Sequence, residues 1–147
     1  MTNGELQFHI PEAWGYKFGK YIYLPGYLPP SLNKMLRRAW IRWERKAHVE
    51  DLGYKLLAAG ANMIQRDDGK KRGLLIVTER SRFLDEDNLR AGAKPLIDIL
   101  RRDPFRLIHN DTPEWLDQEV KQVHVGKGFE GTNIVILASE PLEGEDG

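Results

Sequence analysis

The 147-residue chain contains no cysteine, which excludes disulfides and thiolate metal sites and is compatible with a reducing compartment. It also lacks any apolar run approaching the ~20 residues a membrane-spanning helix needs. Its start, M-T-N-G-E-L-Q, has no basic cluster leading into an apolar stretch, so no export signal is read and a cytoplasmic location with no membrane partner is expected. Net charge is absent too: 22 Lys and Arg balance 22 Asp and Glu. There is no internal repeat and no low-complexity segment. What remains, 41% hydrophobic and 30% charged residues, describes a globular domain long enough to bury a core.

The balanced charge is unevenly placed. From Lys34 to Arg82 bases outnumber acids, with Lys34, Arg37, Arg38, Arg42, Arg45 and Arg82 as candidate phosphate contacts. Acids gather between Asp85 and Asp117 and in the tail. Such asymmetry favours a polyanionic partner meeting one face.

Along the chain, Lys20–Leu24, stopped by Pro25-Gly26, reads as a strand. Pro29-Pro30-Ser31 forms a rigid approach to a helix capped by Ser31 or Asn33. From Leu32 to about Ile64, Leu36, Trp40, Trp43, Ala47, Tyr54, Leu57, Ala61 and Ile64 fall on one stripe, interrupted only by Glu50, and that stripe is expected to face the core. Gly53 and Gly60 each cost about 1 kcal/mol in a helix interior, so a bend or split is expected there. Leu74–Thr78 reads as a central strand. A second helix starts at Asp87 or Asn88 and runs to about Arg101, kinked or interrupted by Pro95 near Lys94. Val120–Val125 and Thr132–Leu137 read as a hairpin, and the last ten residues as a frayed acidic tail. The order β-α-β-α-β-β predicts an α/β or α+β domain, a mixed sheet backed by two helices. Its expected limits are 20–138, with an N-terminal extension (1–19), which could be an extra strand or a packed arm, and an acidic tail (139–147).

The chemistry concentrates between Arg82 and Trp115. Asp85 and Asp87 stand one residue apart at the mouth of the second helix, and Asp111 follows that helix behind Leu107-Ile108. If the backbone at 85–87 is still extended, both carboxylates project to one face. Carboxylates that close repel unless a cation lies between them. With oxygen donors only, Mg²⁺ is the natural ion and Mn²⁺ the substitute. Lys94 lies seven residues after Asp87 on the same helical face, within reach of a scissile phosphate, and Asp98 lies deeper on that face as a support. Against this stands a plain alternative, that Asp87-Asn88 is a helix cap favoured by the dipole. A calcium loop is excluded, because its sixth position is Arg90 rather than Gly and no Glu closes it. His109 reads as an incidental polar residue, His48 and His124 as surface positions, and Trp40 and Trp43 as core.

L-D-E-D-N-L-R-A-G-A-K-P-L-I-D-I-L, followed by L-I-H-N-D-T-P-E-W, resembles the RusA family of Holliday junction resolvases, its phage and prophage branch above all. P-P-S-L-N-K-M-L and V-G-K-G-F-E-G-T are similar to that branch as well, so the resemblance covers about residues 20–138. It implies a homodimeric, Mg²⁺-dependent endonuclease that nicks four-way DNA junctions symmetrically. By that resemblance Asp85, Asp87 and Asp111 hold the metal and Lys94 is the essential lysine. Some members carry that lysine four residues after the second acid, where this chain has Ala91. A two-fold junction cut by one site per chain needs two copies. A non-cleaving junction-binding protein, or a nuclease of other branched DNA, are the alternatives.

Overall fold

The computed structural model describes residues 10–143. Four strands, β1 (Phe18–Pro25), β2 (Arg72–Arg80), β3 (Leu116–His124) and β4 (Gly131–Ala138), form one mixed sheet in the order β1-β4-β2-β3. β4 runs antiparallel to both β1 and β2, whereas β2 and β3 are parallel. The chain is thus a mixed α+β fold.

β2 takes a central place because its residues suit no other. From Arg72 to Thr78 every position is buried, so its side chains need cover on both faces. On one face Leu74 and Ile76 join Ile22, Leu24, Ile134 and Ile136 beneath the helices. On the other, Leu75, Val77, Val135 and Leu137 are covered by Trp14, Tyr16 and Tyr21. The N-terminal segment from Ile10 onward therefore packs as an arm on the helix-free face, and the Tyr16 hydroxyl donates to Asp117 at 2.8 Å. Residues 1–9, within the expected N-terminal extension, lie outside the described residues.

The expected hairpin does not form. β3 and β4 lie on opposite sides of β2, and their connection passes over the end of that strand, where Val125 N–H donates to the Arg80 carbonyl and Ser81 to Glu130. β2, buried on both faces from Arg72 to Thr78, takes an interior place in the sheet and separates two strands that are neighbours in sequence. The acidic tail is also less frayed than expected, since Leu142 is buried and Ile64 bridges Glu143. Residues 144–147 lie outside the described residues.

The first helical region is divided. A short α1 (Leu32–Met35), capped by the Ser31 side chain as predicted, is followed by a π-helical turn (Trp40–Glu44) and then α2 (Arg45–Ala58). Gly60, at φ 84°, ends the run, as its freedom in the left-handed region allows. The predicted core stripe is wrong along most of its length. Trp40, Ala61 and Ile64 are buried, but Leu36, Trp43, Ala47, Tyr54 and Leu57 face solvent, and Leu52 and Leu56 fill the core instead. His48, expected at the surface, is half-buried between Tyr27 and Trp40, with its Nε2 2.9 Å from the Tyr27 hydroxyl. Burial holds its pKa below the ordinary value.

The second helical region is likewise two helices, α3 (Glu86–Gly92) and α4 (Lys94–Leu100), broken at Ala93. Pro95 falls in the first turn of α4, where a missing N–H costs nothing, so it starts a helix rather than kinking one. Gly92 is buried where α3 crosses the Pro30-Ser31 approach, and an added Cβ would overlap the Pro30 carbonyl oxygen.

Candidate nucleic-acid interface and acidic helix mouth

After β2 the chain turns through Ser81–Leu84 and enters α3. Leu84 is held at both backbone groups by one side chain, Gln122 of β3. Its N–H donates to Gln122 Oε1 at 3.0 Å and its carbonyl accepts from Nε2 at 2.7 Å. This clamp fixes where the acidic stretch begins. Asp85, extended at φ −68° and ψ 163°, is the helix cap, and its two oxygens accept from the Asn88 backbone N–H and the Asn88 Nδ2, both at 2.9 Å. Those donors favour the ionised carboxyl and lower its pKa.

The plain capping alternative is therefore real for Asp85, two residues before the expected Asp87-Asn88 cap. Because α3 begins at Glu86, Asp87 is already helical, and the extended backbone that would have aimed residues 85 and 87 to one face is not present. Asp87 is exposed in the first turn, and its carboxylate has no hydrogen-bond or ion-pair partner among the described residues.

Asp111 sits elsewhere on the same side of the sheet. Its backbone carbonyl accepts from Gln118 Nε2 at 3.0 Å, and its carboxylate lies 3.6 Å from Arg101. Gln118 and Gln122 share the face of β3 that carries Leu116 and Val120 beneath the helices, four residues apart, a separation of roughly 13 Å along a strand. The two glutamines thus anchor Leu84 and Asp111 at different levels. Among the described residues, no three His, Cys, Asp or Glu side chains are grouped to hold a metal ion.

Arg101 is a residue that sequence reasoning missed. It pairs with Asp98, one helical turn earlier, at 3.5 Å, and with Asp111, so the acid read as a support and the acid read as a ligand share one guanidinium. The i,i+3 spacing of Asp98 and Arg101 was a legible signal, whereas nothing in the chain announced that Asp111 would join them. Lys94 is exposed, but the break at Ala93 cancels the helical-phase argument tying it to Asp87. It lines a groove of ≈ 330 Å³ with Trp40, Ile41, Arg45, Asp98 and Arg102. The His109 Nδ1 donates to the Asp67 carboxylate at 2.8 Å, and its ring lies tilted against Trp115, a local contact that needs no further role.

The α1 end of the basic region lies beside this mouth. Lys34, Arg37, Arg38, Arg42, Arg45 and Arg82 are all exposed. α1 is joined directly to α3, since the Asn33 N–H donates to Asn88 Oδ1 at 3.0 Å, the same Asn88 that ties Asp85. One asparagine, Asn88, so couples the basic turn to the acidic cap. Side-chain cations here can meet phosphates without reading bases.

No protein-family model matches the chain, and no curated protein matches it. Among the described residues no helix is long and apolar enough to cross a membrane.

Proposed function

We propose that the chain is a structure-selective DNA endonuclease of RusA type, Mg²⁺-dependent with Mn²⁺ as substitute, acting as a cytoplasmic homodimer on four-way junctions in recombination and repair. The observation that carries this reading is the Asn33–Asn88 hydrogen bond. It sets exposed cations suited to a DNA backbone beside two exposed carboxylates, Asp85 and Asp87.

Mg²⁺ is commonly held by one or two carboxylates completed by water and a substrate phosphate. Asp85 and Asp87 would supply the carboxylates. Asp111 would join only by leaving Arg101, which would keep its pairing with Asp98. A bound divalent ion activates water and stabilises the leaving oxygen of a phosphodiester. The chain's own part is to hold the backbone with Lys34, Arg37, Arg38, Arg42, Arg45 and Arg82, and to bring Lys94 to the phosphate from the adjoining groove.

A second reading, a junction-binding protein that does not cut, draws support from the commitment of Asp111 to Arg101. Asp87→Asn separates the two. The endonuclease reading expects Mg²⁺-dependent nicking to fall on the order of 100-fold or more, the scale seen when a group stabilising transition-state charge is lost. Junction binding measured in chelator should stay equal or tighten, because a negative charge near phosphate is gone. Nicking by the variant at the wild-type rate would reject Asp87 as a metal ligand, and a wild-type protein that binds but never nicks would favour the second reading.

A further inference from the structure

We propose that the groove between the start of α2 and α4 takes one unpaired nucleotide of a DNA strand, its base against the apolar lining and its phosphates at the rim cations. The inference rests on the DNA reading above and names the feature of the strand that the site selects, a base out of the stack.

The groove is amphipathic on both walls. Ile41, Arg45 and Val49 follow at intervals of four residues along the π-helical turn and α2, so they line one wall. Lys94, Asp98 and Arg102 follow at the same interval along α4 and line the facing wall. Met35 and Pro95 extend the apolar lining between the cations. The volume of ≈ 330 Å³ lies at the small end of the roughly 300–1,000 Å³ typical of sites that enclose a small molecule. It has room for one nucleotide and none for a duplex.

Charge selects the kind of occupant. Asp98 is already paired with Arg101 at 3.5 Å. Arg45, Lys94 and Arg102 are exposed and have no carboxylate partner among the described residues. Three uncompensated cations around an apolar lining match a ligand with negative charge and a flat, weakly polar body, and a nucleotide has both. A duplex turns its bases inward and offers a groove only sugar and phosphate, so the apolar lining is reached only by a base that has left the stack.

The groove is also continuous with the proposed DNA contacts. Arg45 ends the run of cations that begins at Lys34, and Lys94 is the residue brought to the phosphate beside the acidic mouth. A strand with a phosphate at Lys94 therefore has its adjoining nucleotide at the groove. Beside a branch point a base has lost its stacked neighbour on one side, so taking it out costs less than in continuous duplex. The groove thus favours branched over intact DNA, which phosphate contacts alone cannot do.

The test is equilibrium binding of labelled DNA to the full chain in chelator, read by fluorescence anisotropy, so that cutting plays no part. Three probes of one length are compared: a single strand, the same strand without its bases, and a blunt duplex. Wild type should hold the single strand at least about 10-fold more tightly than the abasic strand, the scale of one base stacked on a protein side chain. Ile41→Lys should lose that preference and hold the abasic strand and the duplex no less tightly than wild type, because a cation replaces part of the apolar wall. Ile41 is 65% exposed, so the fold is undisturbed. Arg102→Glu should weaken the single strand and the abasic strand by the same factor. A wild type that holds both strands equally, or an Ile41→Lys variant that keeps the full preference, would overturn the nucleotide groove and leave the DNA reading standing. A wild type that binds none of the probes and no four-way junction would overturn both.

Discussion

Gly92→Ala is expected to destabilise the fold by about 3 kcal/mol, the upper end of the range for overpacking a tight contact. The added methyl would overlap the Pro30 carbonyl oxygen and lie 3.0 Å from its carbon, and both obstacles are backbone. A flexible side chain could swing aside there, but Pro29-Pro30 cannot, because the Arg80 guanidinium donates to the Pro29 carbonyl at 3.0 Å from a buried position. Relief therefore has to come from α3, which carries Asp85 and Asp87. In a domain of this size the destabilisation corresponds to a fall in Tm of about 6–12 °C. The Asn33–Asn88 bond between α1 and α3 should be lost with it, so any activity that depends on the basic turn lying beside the acidic mouth falls too, although no charged residue has been touched. An alanine variant that melts within a degree of wild type would show that α3 has more room than the contact implies.

Arg72→Met is expected to cost about 3–5 kcal/mol, measured by urea denaturation. Arg72 is 2% exposed and bonds to no carboxylate. Its guanidinium instead donates to three backbone carbonyls, those of Gln65, Arg66 and Leu107, at 2.8–2.9 Å. Burial works against its charge and lowers its pKa. A buried ion pair can often be replaced by apolar residues without loss, because both charges leave together. Here the acceptors are main chain and cannot be removed. Methionine would fill the space and leave carbonyls unsatisfied, at roughly 1–3 kcal/mol for each that water cannot reach. Arg72→Lys should recover only part of the loss, since one ammonium lacks the planar fork that reaches three acceptors at once. A methionine variant within 1 kcal/mol of wild type would show that water takes over the carbonyls.

Local structure was legible wherever one residue decides it. The four strands, the Ser31 cap, the split at Gly60 and the interruption near Pro95 were legible, whereas the bend expected at Gly53 is absent, because α2 runs through it unbroken. Two features turned on competition between segments and were not legible. The hairpin between β3 and β4 failed because β2, apolar on both faces, takes the position between them. The stripe on α2 failed because periodicity reports that a face is apolar, not which body covers it, and the core was filled by Leu52 and Leu56 instead.

In the candidate site, the acids at the mouth of α3 and the basic residues before it were visible in the sequence, but the expected convergence of Asp85, Asp87 and Asp111 is not seen among the described residues. The cap fell on Asp85 because α3 starts at Glu86, ahead of the expected Asp87 or Asn88. Gln122 and Gln118, two uncharged strand residues without any motif around them, set the levels of Leu84 and Asp111. Arg101 then claimed Asp111 across the end of α4.

The most direct measurement is the cleavage of a synthetic four-way junction by the purified full chain, beside a matched linear duplex, with Mg²⁺ and with chelator. Paired nicks in the junction with Mg²⁺, little or no cutting of the duplex and none of either in chelator is the predicted result. A junction that is bound and stays whole under both Mg²⁺ and Mn²⁺ would contradict the account.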